Sequence, residues 1–170
     1  WGKSINAGQT CIAPDYVLAD ASIRDALVDK MIAALREFYG PDPKASPDFG
    51  RIVNGNHLGR LQGLLADHGG TVVVGGEADA DQRFLAPTIV VDPDLEAPLM
   101  QEEIFGPILP VLAVESIDEA VEFVLDRPKP LALYVFSSSD ATVQDVVERT
   151  SSGGVCVNHC VLHIAPNELP

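Results

Sequence analysis

The residues Asn6-Ala7-Gly8-Gln9-Thr10-Cys11-Ile12-Ala13-Pro14-Asp15-Tyr16 set one thiol among small and turn-forming neighbours, just ahead of an apolar strand. Gly8 leaves room for a substrate or cofactor to approach the backbone, and Pro14 keeps a regular helix from absorbing the loop. A thiolate presented in this way is a nucleophile for an electron-poor carbon. The spacing also admits a second reading, in which Cys11 is packed away as a small hydrophobe.

A second stretch, Met100-Gln101-Glu102-Glu103-Ile104-Phe105-Gly106-Pro107-Ile108-Leu109-Pro110-Val111, places two carboxylates, an aromatic ring and a Gly-Pro turn before an apolar strand. Such a rigid rim could carry function, or it could be a solvated acidic turn with Phe105 tucked into the core. A third cluster, Cys156, His159, Cys160 and His163, has the residue types of a zinc site. Side chains on a strand alternate between faces, which separates Cys156 from His159, so no metal site is expected. Cys11 as nucleophile with His163 or His159 as base would make a thiol hydrolase, although nothing here resembles the local signature of a known cysteine hydrolase.

The elements that must position these residues belong to one core. A chain of 170 residues is long enough for a single domain that buries about two-thirds of its unfolded surface. Hydrophobic residues make up 46%, with no run near the roughly 18 needed to span a bilayer, so a soluble, membrane-free protein is expected. The 25 acidic against 11 basic residues give a net charge of -14, which argues against nucleic acid as a partner. No glycine-rich phosphate cradle is present. Three cysteines and no signal segment fit free thiols in a reducing, cytoplasmic compartment. Trp1 opening mid-pattern and Pro170 closing after an unfinished loop suggest a piece of something longer.

In order, Tyr16–Asp20 reads as a strand, and Ser22 with Asp25 as the cap of a helix bearing Ile23, Ala26, Leu27, Met31, Ile32, Leu35 and Phe38, stopped at Gly40-Pro41. Leu58, Leu61, Leu64 and Leu65 mark a second helix, with His57 and His68 as solvated or capping residues. Thr71–Val74 is a strand, Glu77–Asp81 a turn, and Phe84–Val91 a strand in which Pro87 requires an edge or a start position. Pro110–Val114 is a strand, followed by a capping box at Ser116 and Glu119 and a helix facing inward through Val121 and Val124. Leu131–Phe136 reads as a strand covered on both faces, Asp140 as the cap of a further helix, and Val155–Asn158 as one more strand. Strands alternating with helices at this pace predict right-handed crossovers and a parallel sheet.

The run Gly8 to Leu18 resembles the active-site segment of the aldehyde dehydrogenase superfamily, in particular the branch near class 3 and coniferyl aldehyde dehydrogenases. Further phrases are similar in the same order: Asp48–Asn54, Phe84–Val91, the Glu-x-Phe-Gly-Pro motif at Glu103–Pro107, and Ser-Gly-Gly-Val-x-Val-Asn at Ser152–Asn158. His163 sits where that branch tends to have a histidine, whereas His159 departs from the usual aspartate. The family would continue past Leu169-Pro170 into Phe-Gly-Gly.

The resemblance implies an α/β fold, a three-layer αβα catalytic domain over residues 1–170 with a mostly parallel Rossmann-like sheet. The NAD-binding domain and the C-terminal oligomerisation segment would lie outside it. It implies Cys11 as the nucleophile that forms a thiohemiacetal and then a thioester, Glu103 as the ligand of the nicotinamide ribose, and Phe105 beside the nicotinamide. The cofactor would be NAD or NADP, the substrate an aromatic, cinnamyl-type or fatty aldehyde, and the parent a homodimer or homotetramer. The family's general base, its asparagine oxyanion donor and its phosphate-binding loop lie upstream of the cysteine, so these 170 residues alone are expected to turn over little aldehyde. The alternatives are the thiol hydrolase and a non-catalytic assembly module.

Overall fold

Alternation along two neighbouring strands decides the architecture around Cys11. The computed structural model describes residues 1–165; Leu169-Pro170, where continuation was expected, lies outside them. The chain divides into two units, Trp1–Ala113 and a second beginning at Val114.

The first unit contains β1 (Val17–Asp20), α1 (Arg24–Tyr39), α2 (Gly55–Ala66), β2 (Thr71–Val74), β3 (Ala78–Asp79), β4 (Phe84–Leu85), β5 (Thr88–Val91), α3 (Pro98–Gln101) and most of β6 (Ile108–Val114). The main sheet runs in the order β1-β6-β5-β2. β5 and β6 are parallel, with Thr88 opposite Ile108 and Val91 opposite Val111, while β2 pairs antiparallel with β5. Ile89, Val91, Leu109 and Val111 pack with Leu27, Val28, Met31, Ile32 and Leu35 of α1. Val90 and Ile108, one residue out of phase, pack with Leu58, Leu61 and Leu64 of α2. Period two in the strands therefore dictates a helix on each face, the mixed α/β arrangement with parallel central strands that the residue pattern predicts.

Local chemistry moved several boundaries. Ser22 does not cap α1: the Asp20 carboxylate accepts both its N–H and its hydroxyl, so the helix begins uncapped after Ile23. Its other end follows expectation, with Gly40 at φ 75° donating its N–H to Arg36. The acidic run holds a short hairpin strand, β3, paired with β4. Ala86-Pro87 divides Phe84–Val91 in two, which puts the proline just before β5 rather than inside it. His57 is exposed within α2, its backbone N–H donating to the Asn54 cap, and His68 Nδ1 accepts from Gly70 N–H just past the helix, so one histidine is solvated and the other caps the following turn.

The second unit is built from α4 (Ile117–Leu125), β7 (Ala132–Val135), α5 (Asp140–Arg149) and β8 (Gly154–Val157), with β7 parallel to β8. Val121, Val135 and Val146 form its core. Ser116 accepts from Glu119 N–H, but the Glu119 carboxylate reaches back to Glu115 N–H, one residue beyond a standard box. Ser139, not Asp140, caps α5 by accepting from Thr142 N–H; its hydroxyl is short enough to fold back on the first turn. Phe136, expected on a strand covered on both faces, follows β7 and is 67% exposed.

Leu61 carries the α2 face and has no exposed surface. Leu61→Ala should lower the unfolding free energy by about 3 kcal/mol, read as a lower urea midpoint at unchanged slope.

Candidate active site

The Cys11 loop begins with a backbone reversal. Asn6 (φ 52°), Ala7 (φ 52°) and Gly8 (φ 73°) are successive left-handed residues, a geometry that costs about 1 kcal/mol or more at a residue such as Ala7. Burial of the Ala7 methyl beside Phe49 and Ile52 offsets part of that strain. The reversal brings Gly8 against the Glu103–Gly106 stretch so closely that a Cβ on Gly8 would lie 2.2 Å from the Gly106 carbonyl oxygen. Gly106 is equally confined, since its own Cβ would meet Leu61 Cδ2 at 2.4 Å. Gly8 thus lets the nucleophile loop lie backbone to backbone on the motif loop, and Gly106 seats the motif loop directly on the Leu61 side chain of α2.

Beyond Gly8, Ala13 N–H donates to the Thr10 carbonyl at 2.9 Å, closing a turn with Cys11 at its second position. Ile12 is buried and anchors the turn, while Cys11 is an exposed free thiol, so the packed-hydrophobe reading does not hold. The Cys11 N–H makes no hydrogen bond to a described residue, which leaves it available to an incoming oxygen.

Polar side chains fix this loop through contacts distant in the sequence. Gln9 Oε1 accepts from Val53 N–H at 2.9 Å, and its Nε2 donates to the Arg51 carbonyl at 3.0 Å, so one amide works as an extra backbone rung. Asp15 Oδ1 accepts from Ile104 N–H at 3.1 Å. Arg60 of α2 donates to the Glu103 carbonyl at 3.2 Å and to the Ile104 carbonyl. A glutamine two residues before the cysteine was the one available signal, and only the fold shows where it reaches.

Glu103 is exposed and Phe105, held at φ 45°, is half-buried. With His57, Arg60 and Glu102 they line an open cavity of about 410 Å³. Phe105 therefore faces a cavity instead of closing the core. His57 and Arg60 were not expected at this wall; helical spacing from the Asn54 cap puts both on one side of α2.

Lys3 lies beneath the loop, 9% exposed, with Nζ 3.7 Å from Asp15 Oδ1. Burial pushes its ammonium down to about 8, only partly countered by the Asp15 carboxylate.

The third matching stretch, described within its own unit, is structural. Asn158 (φ 54°) exchanges two hydrogen bonds of 3.0 Å with the Ser137 backbone at the ends of β7 and β8. The His163 ring packs on Tyr134, and His159 Nδ1 accepts from Cys160 N–H. Among the described residues no three His, Cys, Asp or Glu side chains are grouped to hold a metal.

The Lys3 amine sheds its proton more readily folded than unfolded, so the cost of burying it charged is fully present below about pH 8 and fades toward 10.5. Relative to a Lys3→Met variant, the native chain should gain about 2 kcal/mol of stability between pH 7 and pH 9.5, measured by urea unfolding. An unchanging difference would contradict a buried, depressed amine.

Residues 1–169 match the sequence model of the aldehyde dehydrogenase family. The chain is 52% identical over its whole length to a Bos taurus protein named aldehyde dehydrogenase, dimeric NADP-preferring, covering 70% of that protein. It is 51% identical to Mus musculus aldehyde dehydrogenase family 3 member A2, of which it covers 35%. The solved structure of Staphylococcus aureus AldH in a substrate-bound state superposes with TM-score 0.96 at 46% identity, over 99% of this chain and 37% of that one. An NAD-dependent aldehyde dehydrogenase from Sinorhizobium meliloti gives 0.85 at 27% identity, over 94% and 33%. By sequence along its length, and by a fold shared with these enzymes, the chain belongs to the aldehyde dehydrogenase family.

Proposed function

We propose that these residues are the catalytic-domain segment of a longer NAD(P)-dependent aldehyde dehydrogenase, with Cys11 as nucleophile and Glu103 and Phe105 at the cofactor. The observation that carries this reading is the contact between two glycines, which sets the exposed thiol's loop directly on the loop of the Glu-x-Phe-Gly-Pro motif. The family match includes both loops, which favours oxidation over thiol hydrolysis or a purely assembling role.

The cavity wall suits a nicotinamide riboside. An ionised carboxylate at Glu103 is a strong acceptor for ribose hydroxyls, and the half-buried Phe105 ring offers an apolar wall for a planar ring. Bound there, the cofactor supplies the hydride acceptor that turns a thiohemiacetal into a thioester. Cys11 adds through its sulfur to the aldehyde carbon, and the oxygen gains negative charge as the C=O π bond opens. The Cys11 N–H, which donates to no described residue, would be one donor to that oxyanion. Cys11 then carries the acyl group until water, activated by a general base outside these residues, releases the acid. Aromatic, cinnamyl-type and fatty aldehydes all suit the reading. A dimer follows the names of the bovine and other relatives, and three free thiols support a cytoplasmic setting.

In the full-length protein, Cys11→Ala should cut NAD(P)-dependent aldehyde oxidation at least about a thousandfold without loss of fold. The 170 residues alone should bind NAD(P) weakly and oxidise little aldehyde. Undiminished oxidation by the variant, or brisk turnover by the isolated segment, would contradict the assignment.

A further inference from the structure

Lys3 is a charged group that the chemistry above does not use, and its position is a costly one for a merely structural residue. Its Nζ is out of solvent contact and has no hydrogen-bond partner among the described residues, and the Asp15 carboxylate at 3.7 Å is too far to supply one. A buried ammonium without a close partner is worse for stability than an apolar side chain of similar shape, such as Met. A charge kept under these conditions points to a use other than packing.

The surroundings show where that charge acts. Asp15 Oδ1, the atom facing Lys3, is also the acceptor for Ile104 N–H. The carbonyl of the same peptide group, that of Glu103, is taken by Arg60. The peptide joining Glu103 to Ile104 is therefore held at both its polar ends, which fixes its plane and the direction in which the Glu103 side chain leaves the backbone. The Glu103 carboxylate is itself within electrostatic reach of the Lys3 amine, which it favours in the charged form.

We propose that Lys3 is a positioning residue: through Asp15 and the Glu103–Ile104 peptide it holds the carboxylate that grips the cofactor ribose in register with the Cys11 loop. This rests on the dehydrogenase reading and deepens it, because it assigns cofactor placement to a residue that touches neither cofactor nor substrate. Removing the charge frees Asp15 to turn from Ile104 and lets the peptide plane swing. Cofactor binding then suffers, while the thiol, held by the separate Thr10–Ala13 turn, keeps its reactivity.

The test compares the full-length native protein with Lys3→Met, Asp15→Asn and the double variant. It uses NADH and NADPH binding by fluorescence and Cys11 alkylation by iodoacetamide without cofactor. Lys3→Met should weaken cofactor binding about tenfold and raise the cofactor KM more than it lowers kcat, with the alkylation rate unchanged. The double variant should be little worse than the poorer single one, because both act on one chain of contacts. Native binding affinity in Lys3→Met, equal losses in binding and alkylation, or independent effects that multiply would each overturn the proposal. If Lys3→Met does not fold, Asp15→Asn carries the decision, since it keeps an acceptor for Ile104 N–H and removes the countercharge. Weakened binding with native alkylation supports the role, and native binding overturns it. A native protein that binds neither nucleotide overturns the dehydrogenase reading, and the role of Lys3 with it.

Discussion

At Gly8 the nucleophile loop approaches the Gly106 carbonyl more closely than any residue bearing a β-carbon could. The geometry of the site follows from that contact. The left-handed run through Asn6, Ala7 and Gly8 exists to deliver the chain to it, and the strain of that run is tolerable because Ala7 is buried among Phe49 and Ile52. On the other side, Gly106 rests on Leu61, so the helix beneath sets the height of both loops. Once the backbones are fixed, the Thr10–Ala13 turn can only present Cys11 outward.

Apolar packing brings the loops together but does not fix their rotation. That task falls to a few polar side chains with long reach. Gln9 replaces a missing strand neighbour for Arg51 and Val53, and Asp15 and Arg60 take the polar ends of the Glu103–Ile104 peptide. Such bonds add modestly to stability but are expensive to leave unmade when buried, which makes them effective at selecting one orientation. The flexible, solvent-facing groups, Cys11 and the Glu103 carboxylate, are thus mounted on rigid supports.

The features set by short-range rules were legible in the sequence. The apolar runs within Phe84–Val91 and Pro110–Val114, the leucine face at Leu58, Leu61 and Leu64, and the glycine stop at Gly40 all follow from apolar patterning or backbone freedom. Helix caps were less so, because Ser22 and Asp140 each had a neighbour able to do the same job: Asp20 captured Ser22, and Ser139 preceded Asp140. The motif at Glu103–Pro107 was readable as a rim, but its partners Gln9, Asp15, Arg60 and Lys3 were not. Their contacts span from 42 to 89 residues in the chain, or depend on burial that only the fold creates. A lysine in a polar N-terminal stretch gives no sign of being enclosed.

The most direct test of this account is the full-length Gly8→Ala variant, assayed for unfolding free energy and for aldehyde oxidation under conditions where it remains folded. The contact predicts a loss of about 2 kcal/mol or more, together with oxidation reduced by at least about tenfold, because the added methyl must push the nucleophile loop off Gly106. Native stability with native turnover would show that the two loops do not depend on each other's backbone.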